Sequence, residues 1–190
     1  MKVKVAVMAA TVAFVLSASA QAGFGIPKLP GAGDNEADSA TNWSELTATG
    51  NGALGNIYLG SKLLAESVAD MAVALDLKDE AATLRAEAKN YSEDGSATGG
   101  GNPSETMAQA ESVGEAVQAK LASADDLSDE QVEALKPAIL NYLVGATTYV
   151  SGAKAIGDVA SQAVNAPMLE KAKFIDVVAI APDAASGMKS

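Results

Sequence analysis

The side chains in this sequence that could do chemistry are carboxylates, tyrosines and serine–lysine pairs, and their spacing decides what each could do. Glu66/Asp70 and Glu111/Glu115 stand one helical turn apart, so each pair shares a helix face. Inward-facing carboxylates of this kind build a di-metal centre when Glu-x-x-His motifs complete the ligand set. The sequence contains no histidine, and both pairs fall off the apolar seams, so they read as solvated faces. Asp34, Glu36, Asp38 and Glu45 match acidic positions of an EF-hand calcium loop. The glycine that the loop needs for its sharp turn is replaced by Ser39, Thr41 stands where an apolar residue is usual, and Gly/Pro-rich sequence precedes the run. An acidic linker is expected there, and no metal.

Two S-x-x-K matches, Ser151 with Lys154 and Ser186 with Lys189, lack the S-D-N and K-T-G companions of the penicillin-binding class. Without histidine there is no Ser-His-Asp triad, and no G-x-S-x-G elbow occurs. Tyr142 and Tyr149 lie on one helix face, but no base accompanies either, so both are expected as buried rings with hydroxyls at the rim. Lys154 and Asp158 are expected to pair across one turn. Asn42-Trp43-Ser44 and Asn90-Tyr91-Ser92 have the form of glycosylation sequons, which matter only in a eukaryotic secretory pathway. No residue is assigned a catalytic, cofactor-binding or metal-binding role.

Composition narrows the classes further. The sequence has no cysteine, which removes disulfides, thiolate nucleophiles and Cys/His zinc sites. Formal charge is −11 over 190 residues. Such a balance repels phosphate backbones and anionic lipid, so nucleic acid is not expected as a partner. Few aromatics and abundant alanine suit close helix–helix contact.

Residues 1–22 read as a secretory signal peptide. Lys2 and Lys4 form the basic start, Val5 to Leu16 the apolar stretch, and Ala20-Gln21-Ala22 the cleavage pattern. Removing those two lysines leaves 11 basic against 24 acidic residues, or −13. Residues 23–41 carry four glycines and two prolines and read as a flexible acidic linker. Asn42 with Glu45 caps a short helix, which Gly50-Asn51-Gly52 is expected to break.

From there, apolar or small residues recur in three–four alternation at Leu54, Ile57, Ser61, Leu64, Val68, Met71 and Leu75. Asp76 ends that helix, with Leu77 folding back and Asp79 capping the next. The second seam is Ala81, Leu84, Ala88 and Tyr91, and its short connection makes the two helices antiparallel neighbours. Residues 92–101 form a glycine-rich loop. Asn102 and Pro103 restart a helix whose seam is Met107, Ala110, Gly114, Val117, Leu121 and Ala124. Ser128 with Gln131 is a capping box, and Pro137 kinks that segment or starts a new helix.

The stretch Pro137 to Val164 reads as the central helix. Its first 17 residues carry no charge. Ile139, Tyr142, Ala146, Tyr149, Ala153, Ile156, Ala160 and Ala163 mark its buried face. Gly145, Gly152 and Gly157 each cost about 1 kcal/mol relative to alanine in a helix interior, so close approach of another helix is expected at them. Polar residues within the stretch, and Lys154 and Asp158 after it, disfavour a membrane span. Trp43 is expected as a lid over one bundle end. Residues 168–181 are expected as helix in preference to strand, with a loose tail over 182–190.

The expected protein is all-α, an antiparallel bundle of four or five helices over 42–181, following a cleaved signal peptide and a linker. Heptad seams without a chemical centre point to a non-enzymatic binding or assembly subunit in the envelope or outside the cell. A protein partner or self-association is expected, with no cofactor. Membrane insertion of the apolar helix is the alternative.

Overall fold

The computed structural model describes residues 41–96 and 101–187. The proposed leader, most of the linker, Asp34, Glu36, Asp38 and Lys189 lie outside the described residues. Among the described residues, five helices of more than two turns form: α1, Trp43–Ala74; α2, Lys78–Ala88; α3, Pro103–Ser123; α4, Asp129–Ala163; and α5, Ile175–Gly187. No β-strand forms among the described residues.

The local signals that define helix ends act as their chemistry dictates. The Asn42 carboxamide accepts from the Glu45 N–H at 3.2 Å. The Asn102 carboxamide accepts from the Ser104 N–H at 3.0 Å, with Pro103 at the first helical position. Ser128 and Gln131 close a reciprocal capping box at 3.0 and 3.2 Å. At the end of α1, Asp76 adopts φ 64°. The Leu77 N–H then reaches back to the Ala72 carbonyl at 2.8 Å, and the Asp76 N–H to Val73 at 3.1 Å, a Schellman closure.

Several boundaries differ from the sequence expectation. α1 runs unbroken through Gly50-Asn51-Gly52. Gly50 is buried there, and a β-carbon on it would stand 2.9 Å from Val177 Cγ2. Tertiary packing thus overrides the low helix propensity of glycine. Asp79 lies inside the first turn of α2, and Leu77 holds the cap position without a side-chain bond. Pro137 sits within a continuous α4. Pro137 and Glu133 are both exposed, so the turn in which proline cannot donate lies on the solvent side of the helix. After single turns at Met168–Lys171 and Ala172–Phe174, α5 continues through Pro182 to Gly187, in place of the expected loose tail.

The hub of the fold is α1, not the Pro137–Val164 segment. α1 packs against α2, α3, α4 and α5, and its seam from Leu54 to Leu75 is buried throughout. α4 is antiparallel to it, as their contacts show. Gly60 meets Tyr149, Gly152 meets Ala53 and Ile57, Gly145 meets Leu63 and Leu64, and Gly50 approaches Val159. Numbers fall along one helix as they rise along the other. α5 lies against both α3 and α4, and α2 against α1 and α3. α2 and α4 share no substantial packing. The physical reason for the reversal is coverage. The uncharged stretch is long enough to be enclosed, but among the described residues α4 has helices on one side only.

Candidate interaction surface

Because α2 and α4 do not pack on each other, α1 leaves a solvent-facing strip between them. The strip consists of half-buried Leu59, Leu63 and Glu66, then exposed Asp70 and Val73. On one flank stands α4. Its outer face, at alternating steps of four and three, is Glu133, Pro137, Leu140, Val144, Thr147, Ser151, Lys154 and Asp158, all exposed. Leu140 is 63 % exposed, Val144 56 % and the neighbouring Leu143 44 %. By the antiparallel register, Leu140 lies level with Ala69 and Val144 level with Ala65. This apolar rail is therefore level with the middle of the α1 strip, but on the face of α4 turned away from α1, opposite Gly145, Tyr149 and Gly152.

On the other flank stands α2. Lys78, Ala82, Arg85, Ala86 and Lys89 follow one helix face and, with Val73 of α1, line a shallow groove of about 440 Å³. All six are exposed. The Arg85 guanidinium donates to the Asp70 carboxylate at 2.9 Å, across the junction of α1 and α2. Three cations thus share one face in a chain where 24 acidic residues oppose 13 basic ones. Lys136, at the foot of the apolar rail, pairs with Glu133 at 2.6 Å.

Beneath this surface the interior is a close-packed seam with a tyrosine cluster. Tyr58 and Tyr91 rings lie 6.0 Å apart. The Tyr91 hydroxyl bonds Thr106 Oγ1 at 2.7 Å, and burial pushes its phenol up to about 12. Tyr149 is 2 % exposed. Its hydroxyl is buried and makes no hydrogen bond among the described residues, which departs from the expected rim position. Burial first, then the neighbouring Tyr91 and Asp183, push this phenol up to about 12 as well. Tyr58 is also raised, by burial and then by Asp176 of α5.

The residues singled out in the sequence lie apart. Glu111 and Glu115 are exposed on α3, while Glu66 pairs with Lys62 at 4.0 Å and Asp70 with Arg85. No group of three or more metal-ligating side chains converges among the described residues. Ser151, Lys154 and Asp158 are exposed on α4. Gly145 and Gly152 do mark close helix approach. A β-carbon at Gly145 would stand 2.9 Å from Leu63 Cβ, and one at Gly152 would stand 2.7 Å from the Ala53 carbonyl. Gly157 has open space around it. Trp43 packs edge-to-face on Phe174, with centroids 6.4 Å apart.

Two features lie beyond the sequence reading. Gly60 sits inside a seam that its larger neighbours define. The outer three–four series of α4 is legible as a second stripe, but the uncharged character of the segment suggests enclosure on all sides.

No protein family, curated protein or solved structure matches the chain.

Proposed function

We propose that this is an exported, non-enzymatic helical protein that works as a binding or assembly subunit in the cell envelope or outside the cell. The observation that carries the reading is the outer face of α4. It places Leu140, Leu143 and Val144 in water on a helix whose opposite side is packed. Large apolar side chains grouped on a surface mark sites of association. Export rests on the basic, apolar and small-residue segments of residues 1–22. The absence of cysteine and histidine from the sequence supports a role without covalent or acid–base chemistry.

The same exposed residues favour a second reading, insertion of α4 into a bilayer after the bundle opens. Among the described residues, no helix is long and apolar enough to cross a membrane. Size-exclusion chromatography with light scattering, on mature protein with and without neutral and anionic liposomes, separates the two. A defined oligomer or protein complex that Leu140→Ser/Val144→Ser dissolves supports association. Salt-resistant co-flotation with the liposomes, or release of an enclosed dye, supports insertion.

A further inference from the structure

We infer that the outer face of α4 binds a second copy of this chain, helix against antiparallel helix, about a two-fold axis between Leu143 and Val144. The inference rests on the association reading above and names the partner. Charge selects a second copy. The chain as a whole stands at −11, so most of its surface repels another copy. From residue 133 to residue 158, α4 carries two acidic side chains, Glu133 and Asp158, and two basic ones, Lys136 and Lys154. Their charges cancel, and all four are exposed on the side turned away from α1. Between them stand Leu140, Leu143 and Val144 in water. The polar groups that follow do not oppose burial. The Thr147 and Thr148 hydroxyls donate to the Leu143 and Val144 carbonyls, both at 2.8 Å. Each hydroxyl is thus satisfied within its own helix, and its methyl group is left for contact.

The order of residues along the face sets direction and register. About this axis, Leu143 of one copy lies level with Val144 of the other, Leu140 with Thr147, and Glu133 with Lys154. The large apolar side chains meet at the centre, and the Glu133–Lys154 pair forms twice. Both partners of that pair are available. Among the described residues Lys154 makes no ion pair, including the one expected with Asp158. Glu133 holds Lys136 through Oε1, which leaves Oε2 for a second cation. A parallel pair instead sets Glu133 on Glu133 and Lys154 on Lys154, a repulsive match. Asp129 and Asp158 fall at the outermost ends, where two crossed helices diverge. The uncharged residues 137–153 span about 26 Å of helix. One helix pair of that length is a small interface, so a dissociation constant on the order of micromolar is expected.

The test combines light scattering with cysteine cross-linking of the full mature protein, whose lack of native cysteine makes each introduced thiol unique. The expected mass moves from monomer to dimer as concentration rises. Oxidation of Val144→Cys gives a covalent dimer, because the two copies of this residue meet at the axis. Asp158→Cys gives none, since its two copies lie about 40 Å apart. Leu140→Cys mixed with Thr147→Cys cross-links more than either variant alone. Glu133→Lys and Lys154→Glu each weaken the dimer ~10-fold, and the double reversal Glu133→Lys/Lys154→Glu restores it. Circular dichroism melts verify that each variant folds. A monomer at every concentration up to ~200 μM, a closed oligomer larger than two, or a monomer that co-floats with liposomes overturns the inference. So does equal cross-linking from positions 144 and 158, or charge reversal without rescue. If the purified protein is monomeric while photocrosslinking at Leu140 or Val144 captures a different protein, the second copy is refuted and the association reading stands.

Discussion

Gly60 of α1 lies directly on the backbone of Tyr149 of α4. A β-carbon at Gly60 would stand 2.6 Å from the Tyr149 amide nitrogen and 2.7 Å from its Cα. No side-chain rotation relieves such a contact, because the atoms it meets belong to a helix backbone. With Gly145 and Gly152 about one turn to either side of Tyr149 on α4, it forms the tightest part of the interface between the two longest helices.

Gly60→Ala is therefore expected to destabilise the fold by about 2 kcal/mol or more, because overpacking outweighs the gain in helix propensity. Gly157→Ala, with nothing within 4 Å of the new methyl, is expected to stabilise by about 0.5–1 kcal/mol. Urea denaturation of the two variants checks the pair. Equal effects at both positions contradict the close approach.

The seams show how far sequence carries the fold. Leu54, Ile57, Ser61, Leu64, Val68, Met71 and Leu75 are all buried, as their spacing indicates, and so are Ala81, Leu84, Ala88 and Tyr91. Periodicity reports which face of a helix is turned inward. It does not report how many neighbours cover the rest, so the pattern favours α4 as the centre and makes α1 one helix among several. Breaks expected at Gly50 and Pro182 fail for a related reason. Both residues act through local propensity, while Val177, Val159 and the packing of α5 decide the outcome. The candidate surface depends on which helices do not pack together, and that is a property of the assembled fold.

Tyr149→Phe removes a buried hydroxyl that has no hydrogen bond. The expected effect is neutral to stabilising, by up to about 1 kcal/mol. Tyr91→Phe breaks the 2.7 Å bond to Thr106 and is expected to cost about 1 kcal/mol or more. Thermal melts of the two variants decide. A large loss in Tyr149→Phe contradicts the unpaired hydroxyl.

Alkaline pH acts through the same residues. Tyr91 and Tyr149 are both pushed up to about 12 in the fold, from an ordinary value of 10.0. The unfolded chain therefore releases these protons first as pH rises. Stability is full below pH ~10 and falls progressively between ~10 and ~12. Denaturant midpoints measured across this window, with phenolate absorbance as the second signal, check the sign. In Tyr149→Phe the fall is shallower, and a rise in stability with pH contradicts the burial of the phenols.

Asp76 holds φ 64° at the Schellman closure of α1, a conformation that glycine adopts without strain. Asp76→Gly is expected to stabilise by about 0.5–1 kcal/mol, provided the left-handed turn is kept. A rise in melting temperature of a few degrees is the expected reading. A fall would place the left-handed residue elsewhere.

Association through the outer face of α4 is tested most directly by site-specific photocrosslinking in the source cells. A photoreactive amino acid is placed at Leu140 or Val144 on that face, and at Lys120 on α3 as the control. Discrete protein adducts from positions 140 and 144, and none from position 120, are the predicted result. Adducts to lipid alone, or the same pattern from all three positions, would contradict a protein-binding role for this surface.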